Sequence, residues 1–123
     1  MKPASLDKMS VSQLVGLFTA IGVDQCKAVL ENDSSTYNLL FEDMEEVTNE
    51  LKKRAGDQRS ELLRLYDHPN VQVQLAAAKR TLAIAPQQAR QLIESIANSH
   101  EHPFVGDVGM CLWALDQGIF KPS

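Results

Sequence analysis

The sequence is poor in cysteine, aromatics and long apolar runs, and each shortage removes a class of protein. Cys26 and Cys111 are the only cysteines. Both lie among apolar residues, in no zinc or redox spacing, and read as reduced, buried thiols rather than a disulfide. Aromatic residues make up 6% of the chain, so Leu, Ala, Val and Ile must fill most of the interior. No apolar run reaches the roughly 18 residues that a membrane-spanning helix needs. Met1-Lys2-Pro3-Ala4-Ser5-Leu6-Asp7-Lys8 lacks the apolar core of a signal peptide, so the expected location is the cytoplasm. Nucleophilic catalysis has no foothold either. There is no Gly-x-Ser-x-Gly, no activated-cysteine motif and no glycine-rich phosphate loop.

What remains is a chain of 123 residues, 44% hydrophobic and 23% charged, enough for one globular domain with one core. The net charge of −4 is unevenly spread. Residues 1–51 carry three basic and nine acidic side chains, residues 52–90 eight and three, and residues 91–123 one and four. An acidic whole argues against strong nonspecific nucleic-acid binding, while the basic middle keeps a local version of it open.

Periodicity predicts helices throughout. Residues 1–9 read as a flexible arm. Ser10 is the expected N-cap of a long helix to about residue 32, with Val11, Leu14, Leu17, Phe18 and Ile21 on one face and Cys26, Val29 and Leu30 beyond Gly22. A second helix follows Asn32-Asp33-Ser34-Ser35, with Tyr37, Leu40, Phe41, Met44, Val47, Thr48 and Leu51 on its stripe. Its acidic start and its Lys52-Lys53-Arg54 end complement the helix dipole, and Gly56 stops it. Shorter helices are expected over 58–67, 71–85, 86–97 and 105–115, the third of these opening on Pro86. The expectation is therefore all-α: about six helices in three antiparallel pairs spanning 10–55, 57–85 and 86–117, with a tail at 118–123. Asp67-His68-Pro69-Asn70-Val71 repeats as Glu101-His102-Pro103-Phe104-Val105, 34 residues later. Such a period marks an α-α superhelix.

The stretch from Leu62 to Ala78 resembles a HEAT repeat, with an LL.LL helix, a His-Pro turn and a V.(V/R)..AA helix. The whole chain, including Gly106-Asp107-Val108-Gly109-Met110-Cys111-Leu112-Trp113-Ala114-Leu115, resembles a small bacterial family of HEAT-like proteins catalogued as a domain of unknown function. The HEAT pattern covers about half the chain and implies a scaffold that binds other macromolecules without a catalytic motif. One departure is Gln74, where HEAT repeats often carry a basic residue.

Several constellations are candidates for function. The 34-residue shift makes Lys79 and Trp113 equivalent on successive second helices, which line the concave face of a HEAT array. With Gln72 they form the candidate partner-binding groove, set against the alternative that Trp113 fills the core beside Leu112 and Leu115. Glu42, Glu46 and Glu50 line one side of the second helix at i, i+4 and i+8. They form an alternative acidic face, with Glu50 placed to pair with Arg54. No Glu-x-x-His pattern accompanies them, so no metal or other cofactor is expected. His68 and His102 belong to the His-Pro turns, and His100 lies in the same loop as His102. The reading that follows is a non-enzymatic, protein-binding HEAT-like module, a monomer or weak dimer with no membrane attachment. A specific form is an immunity- or antitoxin-like protein that neutralises a basic partner. The alternative is a nucleic-acid-binding helical repeat using the basic segment 52–90, as some HEAT-like DNA glycosylases use a basic concave groove.

Overall fold

A computed structural model describes residues 6–99 and Gln117. Among them every regular element is helical. Helix α1 spans Val11–Leu30, α2 Ser34–Lys53, α3 Val71–Thr81 and α4 Pro86–Ser99, with 3-10 helices at Leu6–Lys8 and Gln58–Asp67. The helix expected at 105–115 lies outside the described residues, as do His100, His102, Cys111 and Trp113.

The starts of α1, α2 and α3 are each fixed by a side chain. Ser10 accepts from the backbone N–H of Gln13, whose own side chain accepts from the N–H of Ser10, a capping box that satisfies two otherwise orphaned donors. At the other end of α1, Asn32 adopts φ 54°. The N–H of Asn32 donates to the Val29 carbonyl and that of Asp33 to the Ala28 carbonyl, which is a Schellman closure with Asn in place of Gly. Asp33 then caps α2 through the Thr36 N–H. Three residues thus end one helix and begin the next, and so short a connection makes α1 and α2 antiparallel neighbours. Helix α2 ends at Lys53, earlier than Gly56, and the chain then reverses through left-handed Gly56 (φ 80°) and Asp57 (φ 50°).

The stripe of α1 runs without interruption through Leu14, Phe18, Ile21, Gly22, Gln25 and Ala28. Of Cys26, Val29 and Leu30, expected to continue the apolar face, Cys26 and Val29 pack against the second core cluster while Leu30 is 65% exposed. The helix turns a face of small and amide residues toward α3, because the two backbones approach closely there. A Cβ built on Gly22 would lie 2.9 Å from Cγ2 of Val73, which is fully buried. The segment Gln58–Asp67, expected as α-helix, is a 3-10 helix. Its buried residues Arg59, Leu62 and Leu65 recur every third position. That spacing makes a straight line at three residues per turn and would drift around an α-helix.

Helix α3 is the shared element. On one side Val73, Ala76 and Ala77 join Leu14, Phe18, Met44, Leu51 and Leu62 in the first core cluster. On the other, Leu75, Ala78 and Leu82 join Ala89, Ile93 and Ile96 of α4 in a second. His68 and Asn70 organise its start. The Nδ1 of His68 accepts from the Asn70 N–H, and Asn70 Oδ1 accepts from the N–H groups of Gln72 and Val73. Gln74, the departure from the HEAT pattern, donates its amide to the His68 carbonyl at 2.6 Å.

The described part of the expected N-terminal arm is docked rather than loose. Leu6 and Met9 pack on the core, and the Arg54 guanidinium donates to the Leu6 carbonyl at 3.0 Å. Arg54 is itself held by Glu50, Nε to Oε2 at 2.9 Å, and Glu50 also takes Lys53.

Three outcomes follow for stability. Gly22→Ala should cost about 1–3 kcal/mol in urea unfolding, because a methyl there overpacks the contact with Val73. Gly16→Ala, where an added Cβ meets nothing within 4 Å, should gain up to about 1 kcal/mol. Equal stability of Gly22→Ala and wild type would remove the close contact as a constraint. Glu50→Gln should cost about 1 kcal/mol at neutral pH, since it weakens charge-assisted hydrogen bonds at a nearly buried site. Arg54 first, and then Lys53, hold the Glu50 carboxyl below its ordinary value of 4.5. A carboxyl lowered in the folded state stabilises fully above its unfolded value and loses that contribution as pH falls through the folded one. The gap between wild type and Glu50→Gln should therefore close as pH drops below about 4.5, and a gap unchanged at acid pH would exclude the charge as its source.

Candidate functional site

Helices α1, α2 and α3 meet at a small depression of about 20 Å³ whose lining includes Gln25, Tyr37, Phe41, Gln72, Lys79 and Arg80. Two of the three residues proposed from the sequence, Gln72 and Lys79, are thus brought together, about two turns apart on one face of α3. Their roles differ. Gln72 is buried, and its Nε2 donates to Oε1 of Gln25 at 3.1 Å. It forms the floor and ties α3 to α1. Lys79 is half-buried at the rim, and among the described residues it makes no ion pair. Trp113, the third, lies outside the described residues.

The side chain that dominates the depression is Arg80. Its guanidinium pairs with Glu45 at 3.1 Å and lies over the Phe41 ring, 4.9 Å from the centroid. That stacking contributes on the order of 1 kcal/mol. Arg80 Nε is the one buried side-chain polar atom among the described residues that has no hydrogen-bond partner. Burial pushes the Arg80 pKa down, and the charges of Glu45 and Tyr37 oppose the shift. An arginine stays cationic under such a shift. Phe41 is 43% exposed despite its place on the apolar stripe of α2. Tyr37 also borders a second, open depression of about 360 Å³ at the α1–α2 turn, lined by Ala28, Val29, Asn32, Asp33 and Ser34. The carboxylate there is spent: Asp33 accepts from the N–H and hydroxyl of Thr36, which hold its pKa down.

The acidic face does not assemble as one surface. Glu42 and Glu46 are exposed, whereas Glu50 is 7% exposed and committed to Arg54 and Lys53. The i, i+4, i+8 spacing is regular, but a helix has 3.6 residues per turn, so the third member drifts toward the core and the 3-10 turn at Leu6–Lys8. Among the described residues no three His, Cys, Asp or Glu side chains group to hold a metal ion.

The basic segment is also partly neutralised. Arg54 pairs with Glu50, Arg59 with Asp57, Arg64 with Glu61, Arg80 with Glu45 and Arg90 with Glu94. Arg59 is buried, and the Asp57 carboxylate both raises its pKa and is itself held low by it.

Sequence reading missed Gln25, Tyr37, Phe41 and Arg80 as parts of the depression. Gln25 carried a signal, being polar at a position that continues the i, i+4, i+3 stripe of α1. The Arg80–Phe41 stacking carried none, since it depends on how α3 crosses α2.

The sequence profile of a family described as a domain of unknown function, DUF2019, matches residues 12–116. The crystal structure of the protein RPA1889 from Rhodopseudomonas palustris CGA009 superposes with a TM-score of 0.91 at 48% identity, covering 99% of this chain and 100% of that one. No curated protein matches the chain. The match over 12–116, together with a related structure spanning both chains, gives the conclusion that this chain belongs to the DUF2019 family.

Proposed function

We propose that this protein is a non-enzymatic, protein-binding module of HEAT-like, superhelical build that recognises its partner through the face where α2 and α3 meet. The observation that carries the reading is the convergence of unspent binding capacity at one place. Lys79 has no ion pair among the described residues, and Phe41 exposes its ring beside it, stacked with the Arg80 guanidinium. Arginine and aromatic side chains at a rigid surface are the groups that dominate protein interfaces. By sequence alone, the 34-residue shift makes Trp113 the counterpart of Lys79. The HEAT-like reading is supported by the way α3 serves two core clusters at once, as the inner helix of a stacked repeat does.

The test is affinity capture from a lysate of the source organism, with quantitative mass spectrometry, comparing wild type with a folded Lys79→Glu/Trp113→Ala variant. A protein enriched by wild type and lost with the variant is the expected result. Enrichment unaffected by the variant would move the interface, first to Glu42 and Glu46 for a basic partner. Absence of any enriched protein would overturn the reading.

The nucleic-acid alternative makes an opposite forecast. A protein that neutralises several phosphates loses affinity steeply with salt. With five arginines of segment 52–90 already paired, binding to DNA or RNA should be weak at about 0.15 M salt, with a shallow slope. A steep slope of log affinity against log salt, about −5 or beyond, would reinstate the alternative.

A further inference from the structure

We propose that Leu6–Met9 is a releasable strap. It lifts from the end of α2 about Ser10 while the helices stay folded, it uncovers apolar surface of the first core cluster, and the Glu50–Arg54 pair is the latch that holds it down.

The strap is attached by few contacts. The 3-10 turn Leu6–Lys8 contains no buried residue. Leu6 and Met9 pack, half-buried, against the first core cluster. The other hold is a single side chain. Arg54 donates from Nη2 to the Leu6 carbonyl at 3.0 Å and, more loosely, to the Asp7 carbonyl at 3.4 Å. A segment held by two half-buried side chains and one arginine opens at far lower free energy than the whole fold. The bond from the Met9 N–H to the Leu6 carbonyl, 3.1 Å long, lies within the strap and reports whether the turn is formed.

The hinge is insulated from the motion. Ser10 is extended, and its N–H donates to Oε1 of Gln13 while its hydroxyl accepts from the Gln13 N–H. This box completes the first turn of α1 without any group of the strap. Lifting the strap therefore leaves no orphaned donor at the start of α1.

The latch belongs to α2. Arg54 Nε meets Oε2 of Glu50, one turn away, at 2.9 Å, and Glu50 is 7% exposed. Glu50 takes Lys53 as well, at 3.0 Å. Holding the guanidinium by its Nε aims Nη2 at the strap, so the entropy cost of ordering a long side chain is met within α2 before the strap arrives. When the strap lifts, water takes the place of the two carbonyls and Arg54 keeps Glu50. The surface left bare by Leu6 and Met9 belongs to the cluster of Leu14, Phe18, Met44 and Leu51.

The experiment is amide hydrogen exchange of the full-length protein, followed by NMR across non-denaturing urea concentrations, for wild type, Arg54→Met and Ile93→Val. Arg54→Met keeps an aliphatic stem, removes the donors and leaves Glu50 paired with Lys53. Ile93→Val weakens the second core cluster, on which neither Leu6 nor Met9 packs. In wild type the Met9 amide should be protected relative to a free peptide, at a rate independent of urea, while the Phe18 and Met44 amides respond steeply to urea. Arg54→Met should speed Met9 exchange about ten-fold and raise binding of the apolar dye ANS, with an unchanged far-UV circular dichroism spectrum. Ile93→Val should speed the Phe18 and Met44 amides and leave Met9 unmoved. A Met9 amide as fast as in a free peptide would overturn the proposal, since nothing would then hold the strap. So would a Met9 amide that follows urea like Phe18, since release would then need global unfolding. Equal Met9 rates in wild type and Arg54→Met would overturn the latch, and unchanged dye binding would overturn the uncovering of apolar surface.

Discussion

Helix α3 has almost no free surface, and the arrangement of its neighbours follows from that. Seven of its eleven residues, Gln72, Val73, Leu75 through Ala78 and Thr81, are buried. A helix of ordinary diameter can be surrounded on several sides only if its side chains are short enough for neighbours to approach, which is what Ala76, Ala77 and Ala78 allow. The same demand falls on the partner. Gly22 of α1 sits where any Cβ would collide with Val73, so α1 accepts the conformational cost of a mid-helix glycine in exchange for contact with α3. Glycine here is a packing residue, and α1 passes through it unbroken.

A helix enclosed in this way must satisfy its polar side chains internally, and these pairings tie the elements together. Gln72 meets Gln25 of α1, and Arg80 meets Glu45 and Phe41 of α2. Thr81 donates to the Ala77 carbonyl, so the Tyr66 hydroxyl of the 3-10 segment donates to Thr81. Burial raises the Tyr66 pKa, which keeps that donor protonated. Buried polar pairs add little net stability, but each is costly to leave half-made, so they favour one register of α3 against its neighbours. The unanswered Arg80 Nε stands out because its surroundings are otherwise so fully paired.

Much of this architecture was legible in the sequence. The Ser10 cap, the turn at Asn32-Asp33, the Pro86 start and the stripe of α2 rest on local rules, and local rules act on neighbours in sequence. The 3-10 form of Gln58–Asp67 was legible in principle, because Arg59, Leu62 and Leu65 recur every three residues, but a buried arginine does not look like a stripe residue until Asp57 is seen holding it. The second half of α1 was legible only in part: Cys26 and Val29 do pack on the second core cluster, but Leu30 does not. Hydrophobicity pointed to Leu30, whereas close approach selected Gly22, Gln25 and Ala28. Of the site, Gln72 and Lys79 came from the repeat alignment. Phe41 and Arg80 could not, since their stacking is fixed by the crossing of two helices 39 positions apart in the chain.

The same reasoning bears on what such a site can do. A catalytic centre needs groups that change protonation or form bonds, held where a substrate can reach them. Around α3 lie a largely buried, always-charged guanidinium, a half-buried lysine, an exposed aromatic ring and two buried amides bonded to each other. The charged and aromatic ones among them can attract and orient a charged or apolar group. A guanidinium held by Glu45 and by the Phe41 ring keeps one orientation, so the surface around it is rigid. The enclosure of α3 that demanded alanine and glycine in the core is also what holds Arg80 still just beneath the surface.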